Sequence, residues 1–497
     1  MKKIVIVGGG TAGWLSALFI KKILGPDKDI TVIASDDIGI IGAGEGSTGL
    51  LTDVVNNRLW DFGCNERDFI NETNSTLKFG IKHVGWHKSD SAYFGPIDFS
   101  KTVFQPIDTL QNYCFSQGAS GHLTTGNGYL FDKGLSSFFK EDSEYYQKGI
   151  RCTNSHAYHF DAVLVGQYFK KICTKAGVKF IEGTVTDVSV NDNGIESVVV
   201  NNETISADFF VDASGFKRIL SNKLNVGWKS YAKNLPVDRA MPFVIQHDAD
   251  ARYENYTTAQ AMPAGWMWAI PTQERIGYGY VYSSKHCTAE QAQQHVEHKL
   301  QRSIEPIKHI EFESGCLESF WNKNCLSVGL AAAFAEPLEA TSIHTTIVQL
   351  FEFCTSYQNN PQGYNEHISK VYDDMRDFLV VHYLNKRTDT DFWKQVNDGS
   401  NLTPGVERVL ELCKTKVPKI NDWESYYGSI SSPLYNIILY NLGYIDKNIA
   451  REELQEVNLF DSAMKEWLDD STDMYNICAQ LEYHTDYIKG IKNYDRV

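Results

Sequence analysis

Positive charge is in short supply in this chain. Its 497 residues carry 47 Lys and Arg against 62 Asp and Glu, a formal charge of −15. Phosphate surfaces attract basic stripes and repel a net negative one, so this balance argues against a nucleic-acid or anionic-membrane partner. Metal and disulfide patterns are missing too. The ten cysteines include no CxxC pair and no Cys/His zinc spacing, and the closest two, Cys316 and Cys325, have eight residues between them. Such scattered cysteines suit a reduced, cytoplasmic protein, and no metal is expected. Long hydrophobic runs are also absent. Ile4–Val7 is cut off by Gly8-Gly9-Gly10, and the largely apolar, uncharged stretch 325–335 falls far short of the ~20 residues that span a bilayer. There is no internal repeat or low-complexity tract. With 42% hydrophobic and 22% charged residues, neither a disordered nor a fibrous chain is implied.

What the chain does have is length. At roughly 100–200 residues per domain it makes two to four structural units with a large core, and its partner is expected to be a small molecule. Nothing in the composition bars a homo-oligomer.

The N-terminus reads as a βαβ unit. A β-branched run, Ile4–Val7, leads into Gly8-Gly9-Gly10-Thr11-Ala12-Gly13, then a helical segment 14–24 stopped by Gly25-Pro26, then a second strand at 29–33. Gly8, Gly10 and Gly13 have the GxGxxG spacing, which permits a tight turn, close backbone approach to a pyrophosphate and packing of helix on strand. The loop residues Thr11 and Ala12 open the helix, whose N-terminal N–H groups would face the phosphates. The acidic residue that usually ends the second strand is displaced, leaving Ser35 or Asp36 to contact the ribose. A second glycine-rich loop, 42–48, offers Gly44 and Glu45 as a strap over the cofactor. Strand-like segments recur at 179–181, 184–190, 197–200 and 208–212, far from the first βαβ, so an insertion at about 87–150 is expected to interrupt the cofactor domain. From about residue 345 the pattern turns helical, as in 343–355 and 366–385.

Gly265-Trp266-Met267-Trp268-Ala269-Ile270-Pro271 carries the pattern WxWxIP. On a strand both indoles share one face, and Pro271 ends the pairing. Together with 8–14 and the segment Ala335-Glu336-Pro337-Leu338-Glu339-Ala340-Thr341, this pattern ceases to be generic. The chain resembles the flavin-dependent halogenases of the tryptophan-halogenase type. The matching segments, in order, are GGGTAGW at 8–14, IGAGEGST at 41–48, LKFGIKHVGW at 77–86, HAYHFDAVLV at 156–165, ADFFVDASG at 207–215, GWMWAIP at 265–271, YGYVYSS at 278–284, NCLSVGLAAAFAEPLEAT at 324–341 and RDFLVVHY at 376–383. The likeness weakens beyond about residue 400.

The resemblance implies an α/β fold. A Rossmann-like, flavin monooxygenase-like FAD-binding domain with an interrupted sheet would occupy 1–350, insertion included, and a mainly helical substrate-side domain 351–497. It also implies that FAD, delivered as FADH2 by a separate NAD(P)H-dependent flavin reductase, reacts with O2 to give a C4a-hydroperoxide. A halide ion attacks this to form hypohalous acid, which travels to Lys78. Glu339 stabilises the cationic ring intermediate and takes its proton. A lysine can polarise the oxidant or act as a nucleophile, and a carboxylate near a developing cation supplies charge and base together. By the same resemblance Val185, Leu330 and Ile343 join the cofactor site, the N–H groups of Thr341 and Ser342 hold the halide, and Trp266 and Trp268 keep substrate off the flavin. The family's Ser-Thr-Gly after the glutamate reads Ala340-Thr341-Ser342 here, which leaves halide preference open.

Substrate is where the resemblance stops short. Free-tryptophan enzymes of the family use a C-terminal Phe-Trp clamp followed by Asn-Gly, and Ser429–Tyr435 has neither. Another aromatic, such as a phenol, indole derivative or pyrrole, is expected, with His83, Trp86 and Tyr435 as candidate lining. Two other readings share these residues. A single-component aromatic hydroxylase also carries GxGxxG and a segment like Asp212–Gly215, but has Gly-Asp where this chain has Gly329-Leu330. A non-catalytic flavin-binding paralogue would not need Lys78 or Glu339. No second GxGxxG for NAD(P)H is present, in keeping with a two-component system.

Overall fold

In a computed structural model of the chain, the described residues are all except 36–43, 89–90, 98–108, 149–151, 153–155, 249, 423–431 and 495–497. Two compact units interleave along the sequence. The first comprises Met1–Ser75, Phe160–Ala232 and Glu313–Asp373, and the second Thr76–His159, Lys233–Phe312 and Asp374–Val497.

The first unit is built around Lys3–Val7, in which only Lys3 is exposed. A strand this apolar needs cover on both faces. It lies inside a six-stranded sheet ordered Trp321–Asn322, Cys325–Ser327, Phe209–Asp212, Lys3–Val7, Asp29–Ala34, Lys179–Glu182. All pairs are parallel except the 321–327 hairpin at one edge. Ile4 stands opposite both Ile30 and Phe209, so distant segments close one core. Val5 and Val7 pack with Val188, Ile195, Val198 and Val200 of an antiparallel sheet made by Val185–Asn191, Gly194–Val200 and Glu203–Ser206. Helix Thr11–Phe19 packs against Ala162–Lys175 and Ser342–Cys354. It continues as a wider π-type turn, Ile20–Leu24, which completes the helical segment expected at 14–24. The strands expected at 179–181, 184–190, 197–200 and 208–212 are all present, with bounds within three residues of those expected.

The second unit holds a seven-stranded sheet ordered Ile310–Glu311, Arg239–Gln246, Arg275–Tyr282, Gly265–Pro271, Thr257–Met262, Gly80–Val84, Ala92–Pro96. Only Thr257–Met262 and Gly80–Val84 run parallel. The WxWxIP segment is a strand, as its alternation predicts, and its last pair is Pro271 with Ile276. From Asp391 onward the described residues are mainly helical, apart from Leu481–Tyr483, which pairs with Leu135–Phe139. Side-chain caps start several of these helices, among them Thr390, Thr403 ahead of Pro404, and Asp446. No described helix is long and apolar enough to cross a membrane.

The first turn of the chain depends on two of its glycines, Gly8 and Gly13. Gly8 has φ +124°, and a Cβ there would lie 2.1 Å from the Ala213 carbonyl oxygen; a Cβ on Gly13 would lie 2.0 Å from the Gly8 carbonyl oxygen. Neither backbone oxygen can retreat without breaking the sheet. Gly13→Ala is therefore expected to destabilise the protein by about 2 kcal/mol or more, measured as a lower urea midpoint at unchanged slope. An unaltered midpoint would show that the turn relaxes freely.

Candidate active site

The first unit gathers most of the candidate cofactor residues. No atom lies within 4 Å of where a Cβ on Gly10 would be. Gly10 caps helix Thr11–Phe19 without a side-chain hydrogen bond, and no acidic residue occupies the first turn. The first N–H groups of that helix are thus available to an anion, and the open space before them suits a pyrophosphate. Gly329, at φ +59°, sits so close to Ala12 that a Cβ would be 2.7 Å from the Ala12 methyl, which places Leu330 beside the same turn. Ser35 is half-buried just past the second strand. Val185 is half-buried against the apolar cluster beneath the sheet, and Ile343 is buried. Asp36 and the first part of the second glycine loop lie outside the described residues. The dinucleotide half of FAD fits this cradle.

Asp212 ends the strand beside Lys3–Val7, and its carboxylate is fully occupied. It accepts from Ser214 N and Oγ, from the N–H groups of Leu220 and Ser221, and from Ser221 Oγ, at 2.6–3.1 Å. Its task is to hold the turn, not to do chemistry.

Glu339 is half-buried and ends the short turn Pro337–Glu339. Ala340 follows in the left-handed region at φ +54°, which reverses the chain so that helix Ser342–Cys354 can begin at Thr341. Thr341 makes no side-chain cap, and the helix has no acidic residue in its first turn. An anion at this end would meet unpaired N–H groups and the positive end of the helix dipole. Thr341 is buried and Ser342 exposed.

Among the shifted ionisable side chains of this unit are Glu45 and His344. Burial, helped by the charge of Asp161, pushes the Glu45 carboxyl up to about 7. Burial pushes the His344 imidazole down to about 4, so it is neutral near pH 7. His344 Nδ1 is 2.9 Å from Thr48 Oγ1. Sequence reasoning passed over this pair, since a histidine two residues past Ser342 carries no pattern of its own.

In the second unit Lys78 ends the short strand Thr76–Lys78 and has no solvent exposure. Its backbone is clamped from several sides. The Leu77 N–H donates to His484 Nε2 at 3.0 Å, and the Phe79 N–H to the Asn255 carbonyl at 2.8 Å. His484 Nδ1 is 2.9 Å from the Tyr253 carbonyl, so the proton is on Nδ1, and burial pushes this imidazole down to about 4. His159, opposite Thr76 in the sheet, bridges the Thr76 and Thr257 hydroxyls; burial first, then the Lys78 charge, keeps it neutral. His484 lies four hundred residues from the strand it holds, beyond reach of any local pattern.

Trp266 and Trp268 lie 6.1 Å apart on one face of Gly265–Pro271. Trp268 lies flat over Gly279, where a Cβ would come within 2.0 Å of the indole. Its Nε1 is buried with no hydrogen-bond partner among the described residues, an unusual state for a core tryptophan. Of the candidate lining residues, Trp86 donates to the Ala259 carbonyl and Tyr435 to Asp374, and both are fully buried. Their polar atoms are spent on the fold. His83 stacks on Tyr93 at 4.6 Å.

A dinucleotide cradle with an anion-ready helix end in the first unit, and a buried lysine and a paired-tryptophan strand in the second, are the parts of a flavin-dependent halogenase. Comparison with known proteins gives the family. The sequence pattern of the tryptophan halogenases matches residues 3–453. Tryptophan 6-halogenase SttH of Streptomyces toxytricini is 32% identical over 479 residues, covering 89% of this chain and 90% of its own. Tryptophan 7-halogenase RebH of Lentzea aerocolonigenes is also 32% identical, with 87% and 86% covered. The solved structure of Tar14, a tryptophan C-6 flavin-dependent halogenase (chlorinase) from taromycin biosynthesis, matches with a TM-score of 0.88 at 28% identity, over 99% of this chain and 100% of that one. The chain belongs to the tryptophan halogenase family. Enzymes of this family use FADH2, O2 and a halide, and take the reduced flavin from a separate reductase.

Two outcomes follow for this site. Glu45 holds its proton in the fold up to about pH 7 but in the unfolded chain only to about 4.5. A raised carboxyl stabilises below its unfolded value, and that stability is lost as pH rises through the window between the two. The buried histidines act with the opposite sign, so the comparison must be made between variants. Relative to wild type, Glu45→Gln is expected to remove a fall in the apo-protein's melting temperature between pH 4.5 and 7; parallel curves would reject the shift. Gly279→Ala is expected to cost about 1–3 kcal/mol by displacing the Trp268 ring, and to alter tryptophan fluorescence. Unchanged emission with unchanged melting would mean the indole has another seat.

Proposed function

We propose that this enzyme halogenates an electron-rich aromatic other than free tryptophan, with Lys78 and Glu339 as its catalytic residues. The observation that carries the reading is the burial of Lys78. A lysine with no exposure pays a desolvation cost that a structural role seldom justifies, and here the fold spends His484, Asn255 and His159 on fixing the segment that bears it.

When bound, FADH2 would give two electrons to O2, and the resulting peroxide-level oxygen would be the two-electron oxidant that turns halide into hypohalous acid. The N–H groups of Thr341 and Ser342, at an uncapped helix start, hold the halide beforehand. Gly8, Gly10, Thr11, Ala12 and Gly13 seat the pyrophosphate, Ser35 and Asp36 the ribose, and Gly44, Glu45, Val185, Leu330 and Ile343 line the rest of the cofactor site. Trp266 and Trp268 keep the substrate away from the flavin. Lys78 Nζ donates a proton toward the oxygen of the hypohalous acid, which leaves as water as the ring carbon bonds to the halogen. Glu339 faces the positive charge that develops on the ring, lowers its energy and takes the proton from the halogenated carbon.

The substrate part of the proposal rests on Ser429–Tyr435, which lacks the Phe-Trp clamp, and on Tyr435, whose hydroxyl is already committed to Asp374. Residues 429–431 of this stretch lie outside the described ones. With a flavin reductase, FAD, NADH and chloride, bromide or iodide in competition, mass spectrometry is expected to find halogenated phenols, indoles or pyrroles in preference to halogenated free tryptophan. Lys78→Ala and Glu339→Gln are each expected to lower halogenation by ~10²-fold or more while FAD binding is retained. A hydroxylated product without halogen would return the enzyme to the hydroxylases, and indifference to both substitutions would make it a non-catalytic flavin protein.

A further inference from the structure

The second glycine loop is fastened to the helix that follows Glu339. Thr48 is positioned to cap its own helix, Gly49–Asp53, with φ −106° and ψ 171°, yet it makes no capping hydrogen bond. A threonine at such a place ordinarily satisfies the N–H groups of its own first turn. Here the hydroxyl is instead 2.9 Å from His344 Nδ1, on the first turn of Ser342–Cys354. Two helical turns further along, the Arg58 guanidinium lies 5.0 Å from the centre of the Phe351 ring. His344 and Phe351 are seven residues apart and share one helix face. The segment from Thr48 to Arg58 therefore runs along that face, held at both ends.

The imidazole at the upper end is neutral, so one nitrogen accepts while the other donates. If Nδ1 accepts from the Thr48 hydroxyl, the proton is on Nε2, which is buried and has no hydrogen-bond partner among the described residues. His344 is thus a two-ended connector whose second end is open. It stands two residues beyond Ser342, and Thr48 stands three beyond Glu45 in the strap.

We propose that His344 is a positioning residue that couples the strap over the flavin to the halide site, so that occupancy of either site strengthens binding at the other. This rests on the assignment of the strap to flavin and of Thr341 and Ser342 to halide. Linkage makes the coupling reciprocal and measurable without turnover. A halide held at the start of Ser342–Cys354 fixes His344, which fixes Thr48 and with it the described end of the strap, Gly44–Thr48.

The test is the dissociation constant of FAD, by equilibrium dialysis of the full-length protein, without halide and with saturating bromide. In the wild type bromide is expected to tighten FAD about fivefold or more, within the usual range of coupling between sites. His344→Phe and Thr48→Val are each expected to reduce that ratio below about twofold, and the double variant to be no worse than either alone, as for two members of one link. His344→Asn, whose amide oxygen can take the place of Nδ1, is expected to keep most of the ratio. A residue that only supports the fold would weaken FAD binding at both halide levels and leave the ratio intact. That result, or a wild-type ratio of one, or His344→Asn behaving like His344→Phe, would overturn the proposal. Circular dichroism excludes unfolded variants, and Thr48→Val reports on the link if His344→Phe fails to fold. Lys78→Ala is expected to keep the wild-type ratio. The linkage can thus be read even if the halogenation reading fails, and the two failures are distinguishable.

Discussion

Parallel pairing of Lys3–Val7 with both Asp29–Ala34 and Phe209–Asp212 is the constraint on which the first unit depends. It buries a strand with no polar face and sets Gly8 against Ala213 at the strand's end. It also leaves the start of Thr11–Phe19 pointing at open space. The glycines are then not a preference but a clearance. Once that turn is in place, Gly329 and Leu330 arrive beside it by the pairing of Phe209–Asp212 with Cys325–Ser327, and the same stretch of chain runs on to Glu339 and the helix at Ser342. One pairing pattern thus aligns two helix starts of the same kind within one unit, each with unpaired N–H groups and no acidic neighbour.

The second unit solves a different problem, that of holding an ammonium group away from water. The strand that carries Lys78 is clamped by neutral groups. His484 and His159 are both kept uncharged by burial, so the lysine has no added cation beside it on those sides. Trp268 shows the same economy: the indole is accommodated because Gly279 has no side chain and Ala259, its neighbour across the sheet, has almost none.

Much of this was legible where the signal is local. The βαβ opening follows from spacing within about thirty residues, and the tryptophan strand from alternation within seven. The motifs at Lys78 and Glu339 were legible only through family likeness, because a lone lysine or glutamate has no signature. What could not be read are the partners supplied from afar. Leu77 and His484, or Thr48 and His344, meet because sheets and helices bring them together, and nothing in either short segment announces the other. The left-handed Ala340 is hidden for a related reason. Alanine is a poor indicator of such a turn, and the conformation is imposed by the short turn before it and the helix after it.

The order of strands in the first sheet also bears on how the protein is made. Lys3–Val7 leaves the ribosome first, but its neighbour Phe209–Asp212 follows two hundred residues later, and Cys325–Ser327 later still. At about 10 residues per second, one open edge of this apolar, β-branched strand waits about 20 seconds for its neighbour. An exposed edge of that kind pairs readily with other chains. The first sheet therefore cannot close until more than three hundred residues have been made.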